Sequence, residues 1–261
     1  MEPIDGKIYI ATVLLEANRW AAVRQPTYRV SRWLDRFAQA GFDGIELWEN
    51  HAAMAPPGEL EALSASPVPV TVFNSYAGFD DESASQRRRT AELAAALAAP
   101  AVKFNLGPDP QRREEYISNA LAWRKLLGAD VRMLCECHGG TILETPAAAS
   151  EVFDRWDHEQ FQAIVHPFSC PPAALAEWFD RLAERVTHAH VQTRDADNRF
   201  TRLTDNAAGV REALAVLSEK GYRGSYTLEF TAGTGQANED IESLFAAALD
   251  DLAFLRENFR P

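Results

Sequence analysis

The feature that most constrains this chain is an alternation: short apolar runs rich in β-branched or aromatic residues are separated by longer amphipathic stretches, eight times over. The runs are KIYIATVLLE (7–16), GIELWE (44–49), VPVTVFNS (68–75), AVKFNLG (101–107), VRMLCECH (131–138), FQAIVHPF (161–168), VTHAHVQ (186–192) and SYTLEF (225–230). Eight helix candidates go with them, among them SRWLDRFAQAG and SASQRRRTAELAAALAA. In AQAGFDG and SEKGYRG a Gly stands just past the last apolar turn and directly before a strand, so the helix-to-strand connections are short. The segments that follow the strands are longer and more polar, as in NHAAMAPPGEL, HGGTILETPAAAS and QTRDADNRFTRLTDN. Eight βα units spaced about 24 to 39 residues apart predict one (β/α)8 TIM barrel over residues 1–261, with its site at the C-terminal ends of the strands. An open doubly wound sheet is the alternative, but no Gly-rich phosphate loop follows the first strand.

Composition agrees with a single α/β domain, since 46% of the 261 residues are hydrophobic, enough for a sizeable core. The balance of 26 basic against 38 acidic residues gives a net charge of −12, which repels a phosphate backbone. Nucleic acid and membranes are therefore poor partners, and a small molecule is expected instead. The opening MEPIDGKIYIATVLLE has no basic leader and reads as a first strand, not a signal peptide. No apolar stretch reaches the roughly 20 residues of a membrane span, and three cysteines do not suit a disulfide framework. A soluble protein of the reducing cytoplasm is expected.

CECHGG (135–140) looks at first like the start of a zinc site. Side chains alternate along a strand, however, so Leu134, Glu136 and His138 share one face and Met133, Cys135 and Cys137 the other. The cysteines are expected to pack against the surrounding helices as small buried thiols. Glu136 is different, because a carboxylate in an apolar strand must be paired, hydrogen-bonded or metal-bound. The next three strands repeat the pattern: the sixth ends with His166, the seventh places His188 and His190 on one face, and the eighth ends with Glu229 after the inward Thr227. Two carboxylates and two imidazoles at a barrel mouth offer mixed O and N ligation, suited to Mn, Fe, Co or Zn more than to Mg or Ca. His188, one layer deeper than His190, is equally readable as a buried hydrogen-bonded support.

These motifs together resemble the xylose isomerase-like barrel superfamily, the sugar phosphate isomerase/epimerase group with hydroxypyruvate isomerases, inosose isomerases and dehydratases, and ketose 3-epimerases. GFDGIELW is similar to the second strand with its inward Glu46, CECHGGT to the fifth, AIVHPF to the sixth, THAHVQ to the seventh and YTLEF to the eighth. The resemblance covers essentially the whole chain and implies Glu136, His166, His190 and Glu229 as ligands of one divalent ion. It departs at the sixth strand, where the family usually has Asp and this chain has His166, making the ligand set less negative by one. Two relatives fit less well. Endonuclease IV takes further His from the third and fourth strands, which here offer Asn74 and Asn105, and xylose isomerases proper carry carboxylates for a second metal.

The implied activity is an isomerase or epimerase of a keto sugar, inosose or hydroxy-keto acid, working through a metal-bound enediolate with Glu136 and Glu229 as the acid/base pair. Glu46, Lys103, Asn105, His138, His188 and Gln192 are the expected substrate-binding groups. Lys103 is equally readable as a neutralising partner for the carboxylates of the mouth. A metal-dependent lyase or dehydratase on the same path and a non-catalytic relative are the alternatives, and a homo-oligomer is left open.

Overall fold

A computed structural model describes residues 6–259. The eight apolar runs become the strands of one closed parallel barrel: β1 (Ile8–Ala11), β2 (Gly44–Trp48), β3 (Val70–Asn74), β4 (Ala101–Phe104), β5 (Arg132–Glu136), β6 (Phe161–Val165), β7 (Val186–Val191) and β10 (Ser225–Leu228). Closure joins β1 to both β2 and β10, with Tyr9 opposite Gly44 on one side and Thr227 on the other. Each expected strand is present, cut back by a few residues to the part that pairs on both edges.

Around the barrel run α1 (Leu34–Ala40), α2 (Glu49–Ala53), α3 (Glu59–Ser64), α4 (Ala84–Ala96), α5 (Arg113–Arg124), α6 (Pro146–Phe153), α7 (Pro172–Leu182), α8 (Ala207–Glu219) and α9 (Ile241–Phe259). Helix α1 stops at Gly41, whose φ of +83° is open to Gly at little cost; its N–H bonds the carbonyls of Ala38 and Phe37. That tight stop delivers the chain into β2. Where the sequence suggests one polar loop after β2, Glu49–Ala53 folds into the short α2, because His51 is drawn inward to the buried Glu16. The polar stretch after β7 also gains structure, a two-stranded antiparallel ribbon of β8 (Thr193–Arg194) and β9 (Phe200–Thr201).

The core has two shells. Outward-facing strand residues such as Ile45, Phe73, Phe104, Met133, Cys135 and Phe161 pack with helix residues such as Phe37, Trp123 and Val152 in one large cluster. Cys135 and Cys137 both lie in it, fully or nearly buried, and burial pushes both thiols up, so they are packing residues as expected. Inside the barrel, Tyr9, Val72, Ala101, Leu134 and Ile164 form a separate apolar layer. This plug occupies part of the lumen, and polar side chains fill the rest. Among the described residues no helix is long and apolar enough to cross a membrane.

Candidate active site

Strand alternation carries Glu136 inward at the end of β5, and His190 inward near the end of β7. His166 and Glu229 are the first residues past β6 and β10. One donor atom from each of these four residues lies within 4.8 Å of the others, so four different strands deliver them to one point. His166 Nε2 is 2.9 Å from Glu136 Oε1, and His190 Nδ1 is 3.0 Å from the same oxygen and 3.4 Å from Glu229 Oε1. Glu229 Oε2 is buried and has no hydrogen-bond partner among the described residues. An acceptor orphaned in this way, beside a second carboxylate and two imidazoles, fits a divalent cation of the borderline class.

The electrostatics favour positive charge at that point. Burial works against a charged His190, yet Glu229, Glu46 and Glu136 hold its imidazole well above the usual histidine range. Burial likewise opposes ionised Glu136, but Lys103 and the hydrogen bonds from His166 and His190 hold its carboxyl well below the usual range. Lys103 Nζ is 2.7 Å from Glu136 Oε2, and Asn105 Nδ2 donates to the same oxygen at 2.6 Å. Burial alone would lower Lys103, and Glu136 outweighs it, so the ammonium is retained. Of the two readings of Lys103, the geometry supports the neutralising partner.

Glu46 and His188 stand beneath this cluster and are 0% and 1% exposed. Glu46 Oε2 accepts from His190 Nε2 at 3.1 Å, and Oε1 accepts from Asn74 Nδ2 at 2.9 Å. Burial is the largest influence on Glu46 and would raise it; His190 and His188 overcome it and hold the carboxyl strongly down. His188 bonds Thr227 through Nε2 and Ser225 through Nδ1, both at 2.8 Å, and burial lowers its pKa. Neither Glu46 nor His188 lines the cavity above the cluster, and with His190 they form a second group whose donor atoms lie within 4.8 Å of one another. Gln192 Nε2 lies 2.8 Å from His166 Nδ1 and fixes that ring. His138 is exposed, its ring 5.9 Å from that of His166.

A cavity of about 520 Å³ opens above the cluster, lined by Lys103, Asn105, Glu136, His138 and Glu229 together with Trp20, Tyr76 and Phe230. The three aromatic residues are not among the groups the sequence pattern picks out. Their signal is a Trp and a Tyr in loops after β1 and β3, where a soluble surface would place polar side chains. A larger cavity of about 810 Å³, lined by Lys7, Tyr9, Arg132 and Ser225 among others, lies at the opposite end of the barrel. It contains none of the clustered donors, so the chemistry assigns the smaller cavity despite its size.

Comparison with known proteins agrees with this architecture. A family model described as xylose isomerase-like TIM barrel matches residues 34–257. No curated protein sequence gives a significant match. Among solved structures the chain is similar to the probable 3-DHS dehydratase AsbF of petrobactin synthesis from Bacillus anthracis, with a TM-score of 0.70 and 17% identity over 98% of this chain and 100% of that one. It is also similar to the 3-keto-D-glucoside 4-epimerase YcjR from E. coli, with a TM-score of 0.68 and 16% identity over 97% and 99%. Endonuclease IV from Thermus thermophilus aligns with a TM-score of 0.63 and 14% identity over 96% and 99%. At these identities the likeness to each structure is one of fold. With the match to the family model spanning most of its length, the chain belongs to the xylose isomerase-like TIM barrel family.

Proposed function

We propose that the protein is a divalent-metal-dependent isomerase or epimerase of a keto sugar, inosose or hydroxy-keto acid, acting by proton transfer beside a carbonyl. The observation that carries this reading is the meeting of Glu136, His166, His190 and Glu229 at the open end of the barrel, with Glu229 Oε2 lacking a hydrogen-bond partner among the described residues. A divalent ion held by these four residues would polarise a carbonyl and its neighbouring hydroxyl as a Lewis acid. Glu229 is the proton acceptor, because its Oε2 makes no hydrogen bond among the described residues and lies 4.0 Å from His166 Nδ1. Glu136 is its counterpart. Both of its oxygens are engaged, and Lys103 Nζ at 2.7 Å is a proton-bearing neighbour through which it can act. Glu46 orients His190 by accepting from Nε2, which leaves Nδ1 aimed at the carboxylates. His138 and Asn105, which line the cavity, meet substrate hydroxyls.

Elimination of a β-hydroxyl after the same proton abstraction is the second reading, supported by the exposed His138 at the rim as an acid for the leaving group. The net charge of −12 and the Asn74 and Asn105 side chains at the third and fourth strands weigh against a nucleic-acid substrate. The test is to load the protein with Mn, Co or Zn and incubate it with a panel of ketoses and inososes in deuterated water. Deuterium is expected at the carbon beside the carbonyl, with an isomer or epimer as product. A dehydrated product selects the second reading, and absence of both exchange and product from every panel member overturns the proposal. About one ion per chain is expected on metal analysis, and His166→Ala should lower metal affinity strongly.

A further inference from the structure

Trp20 is the largest exposed apolar side chain at this mouth, 58% accessible, yet the loop that carries it is firmly held. Its neighbour Arg19 is buried, donates from Nε and Nη2 to the carbonyls of Val13 and Leu14 at 2.8 and 2.7 Å, and ion-pairs with Glu239 at 2.7 Å. The indole stacks on Phe200 with ring centroids 6.3 Å apart and an interplanar angle of 10°, and tilts against Phe230 at 5.7 Å. Behind Phe200 the Arg194 guanidinium lies 3.7 Å from the ring centroid. Gly235 leaves room at the indole's edge, since a Cβ there would come within 2.8 Å of Trp20 Cζ3. Arg194 and Phe200 face each other across the small β8–β9 ribbon, so this ribbon and the loops after β1 and β10 all serve to fix one exposed ring. An exposed indole braced in this way presents a rigid flat face at little ordering cost to a ligand.

The same cavity reaches from Trp20 and Phe230 to Glu136 and Glu229, so one ligand can touch both the aromatic wall and the donor cluster. We infer that the substrate carries a second ring: it is a glycoside, whose polyol ring sits at the cluster while its glycosyl or aryl aglycone lies on Trp20. This rests on the reading of the cluster as the place where a polyol is held. A ligand that engages the donors alone would leave the indole bare, whereas the flat C–H or π face of a second ring covers it and removes apolar surface from water. Trp20 is then a specificity-determining residue, with Phe230 beside it and Phe200 and Arg194 as positioning residues.

The experiment measures calorimetric Kd values for the Mn-loaded protein with D-glucose, D-fructose and D-galactose, each as free sugar, methyl glycoside, p-nitrophenyl glycoside and glucosyl disaccharide. At least one ring-bearing glycoside is expected to bind about 10-fold more tightly than its methyl glycoside, the scale of one stacking contact plus its buried area. In Trp20→Ala that advantage should vanish, and in Trp20→Phe most of it should return, with melting temperatures confirming that both variants fold. Methyl and ring-bearing glycosides binding equally well, or a ring preference that survives Trp20→Ala, overturns the inference and leaves the cluster reading standing. If no sugar binds in any form, with metal present, both the carbohydrate reading and the two-ring inference fail.

Discussion

Two buried histidines of this barrel make similar contacts to opposite effect. His51 is bonded to Glu16 through Nε2 at 2.7 Å and to Thr12 Oγ1 through Nδ1 at 2.9 Å. Glu16 also accepts from the Thr27 backbone N–H and hydroxyl, and Thr12 Oγ1 accepts from the Trp48 N–H. Every acceptor in that network is filled, and it ties the loop after β1 to α2. His190 sits between two carboxylates, those of Glu46 and Glu136, but its neighbour Glu229 keeps a buried oxygen with no hydrogen-bond partner among the described residues. A Glu–His pair is thus a structural tie when its polar atoms are all satisfied, and a place to receive something when one is left open at an accessible end.

The sharpest way to break this comparison is to alter the open network. Glu229→Gln keeps the shape and one oxygen donor but removes the base. In the metal-loaded protein it should slow solvent exchange of a substrate's α-proton by about 10²- to 10⁴-fold, measured by mass spectrometry in deuterated water. Near wild-type exchange in a metal-loaded Glu229→Gln protein would show that the orphaned oxygen is not the proton acceptor. The closed network should respond in stability instead. His51→Ala leaves a cavity and removes one of the donors to the buried Glu16, so urea unfolding should show a loss of about 2 to 4 kcal/mol while bound metal per folded chain stays the same. Loss of the ion from folded His51→Ala would erase the distinction between the two networks.

Asp251 sharpens the comparison from a third side, as a buried carboxylate with hydrogen bonds and, among the described residues, no cation bonded to it. It accepts from the Leu203 N–H at 2.7 Å and from the Thr231 hydroxyl, and burial pushes its carboxyl up to about 6 from an ordinary 3.8. A folded-state pKa raised above the unfolded one gives stability that is fully present below about pH 4 and is lost as pH rises through about 6. Asp251→Asn should therefore gain on the parent protein by about 2 to 3 kcal/mol between pH 4 and pH 7 in paired denaturation curves. A difference that does not change with pH would mean that burial does not raise the Asp251 carboxyl. The smallest effect belongs to the strand face turned away from the site. Cys135→Ser and Cys137→Ser, made singly, should each cost about 1 to 3 kcal/mol for a buried hydroxyl and leave the metal content intact. Loss of metal in either would overturn the β5 register.

Much of this was legible because the barrel obeys two simple periods. Alternation along VRMLCECH is enough to send Cys135 outward and Glu136 inward, and the eight runs suffice for the closed order of strands. What sequence pattern misses depends on contacts between distant loops. Strands β8 and β9 have two residues each, too short for any periodicity to register. The fit of His51 to Glu16 spans 35 positions, and that of Arg19 to Glu239 spans 220. The depth of Glu46 was likewise hidden: two positions along one strand place His188 a layer below His190, but alternation says little about the height of a side chain on one strand relative to those on another.

The four clustered donors, Glu136, His166, His190 and Glu229, all come from the second half of the chain, while Glu46, Lys103 and Asn105, which bond or charge-balance His190 and Glu136, come from the first, as does Asn74, which bonds Glu46. Apart from Gln192, which bonds His166, the cluster's members and the groups that tune them are thereby split between two stretches of sequence. Substitutions at Lys103 or Asn105 would change the surroundings of the Glu136 carboxylate with all four clustered side chains left in place, so the first half is where a lineage of such barrels can vary the cluster without altering its members.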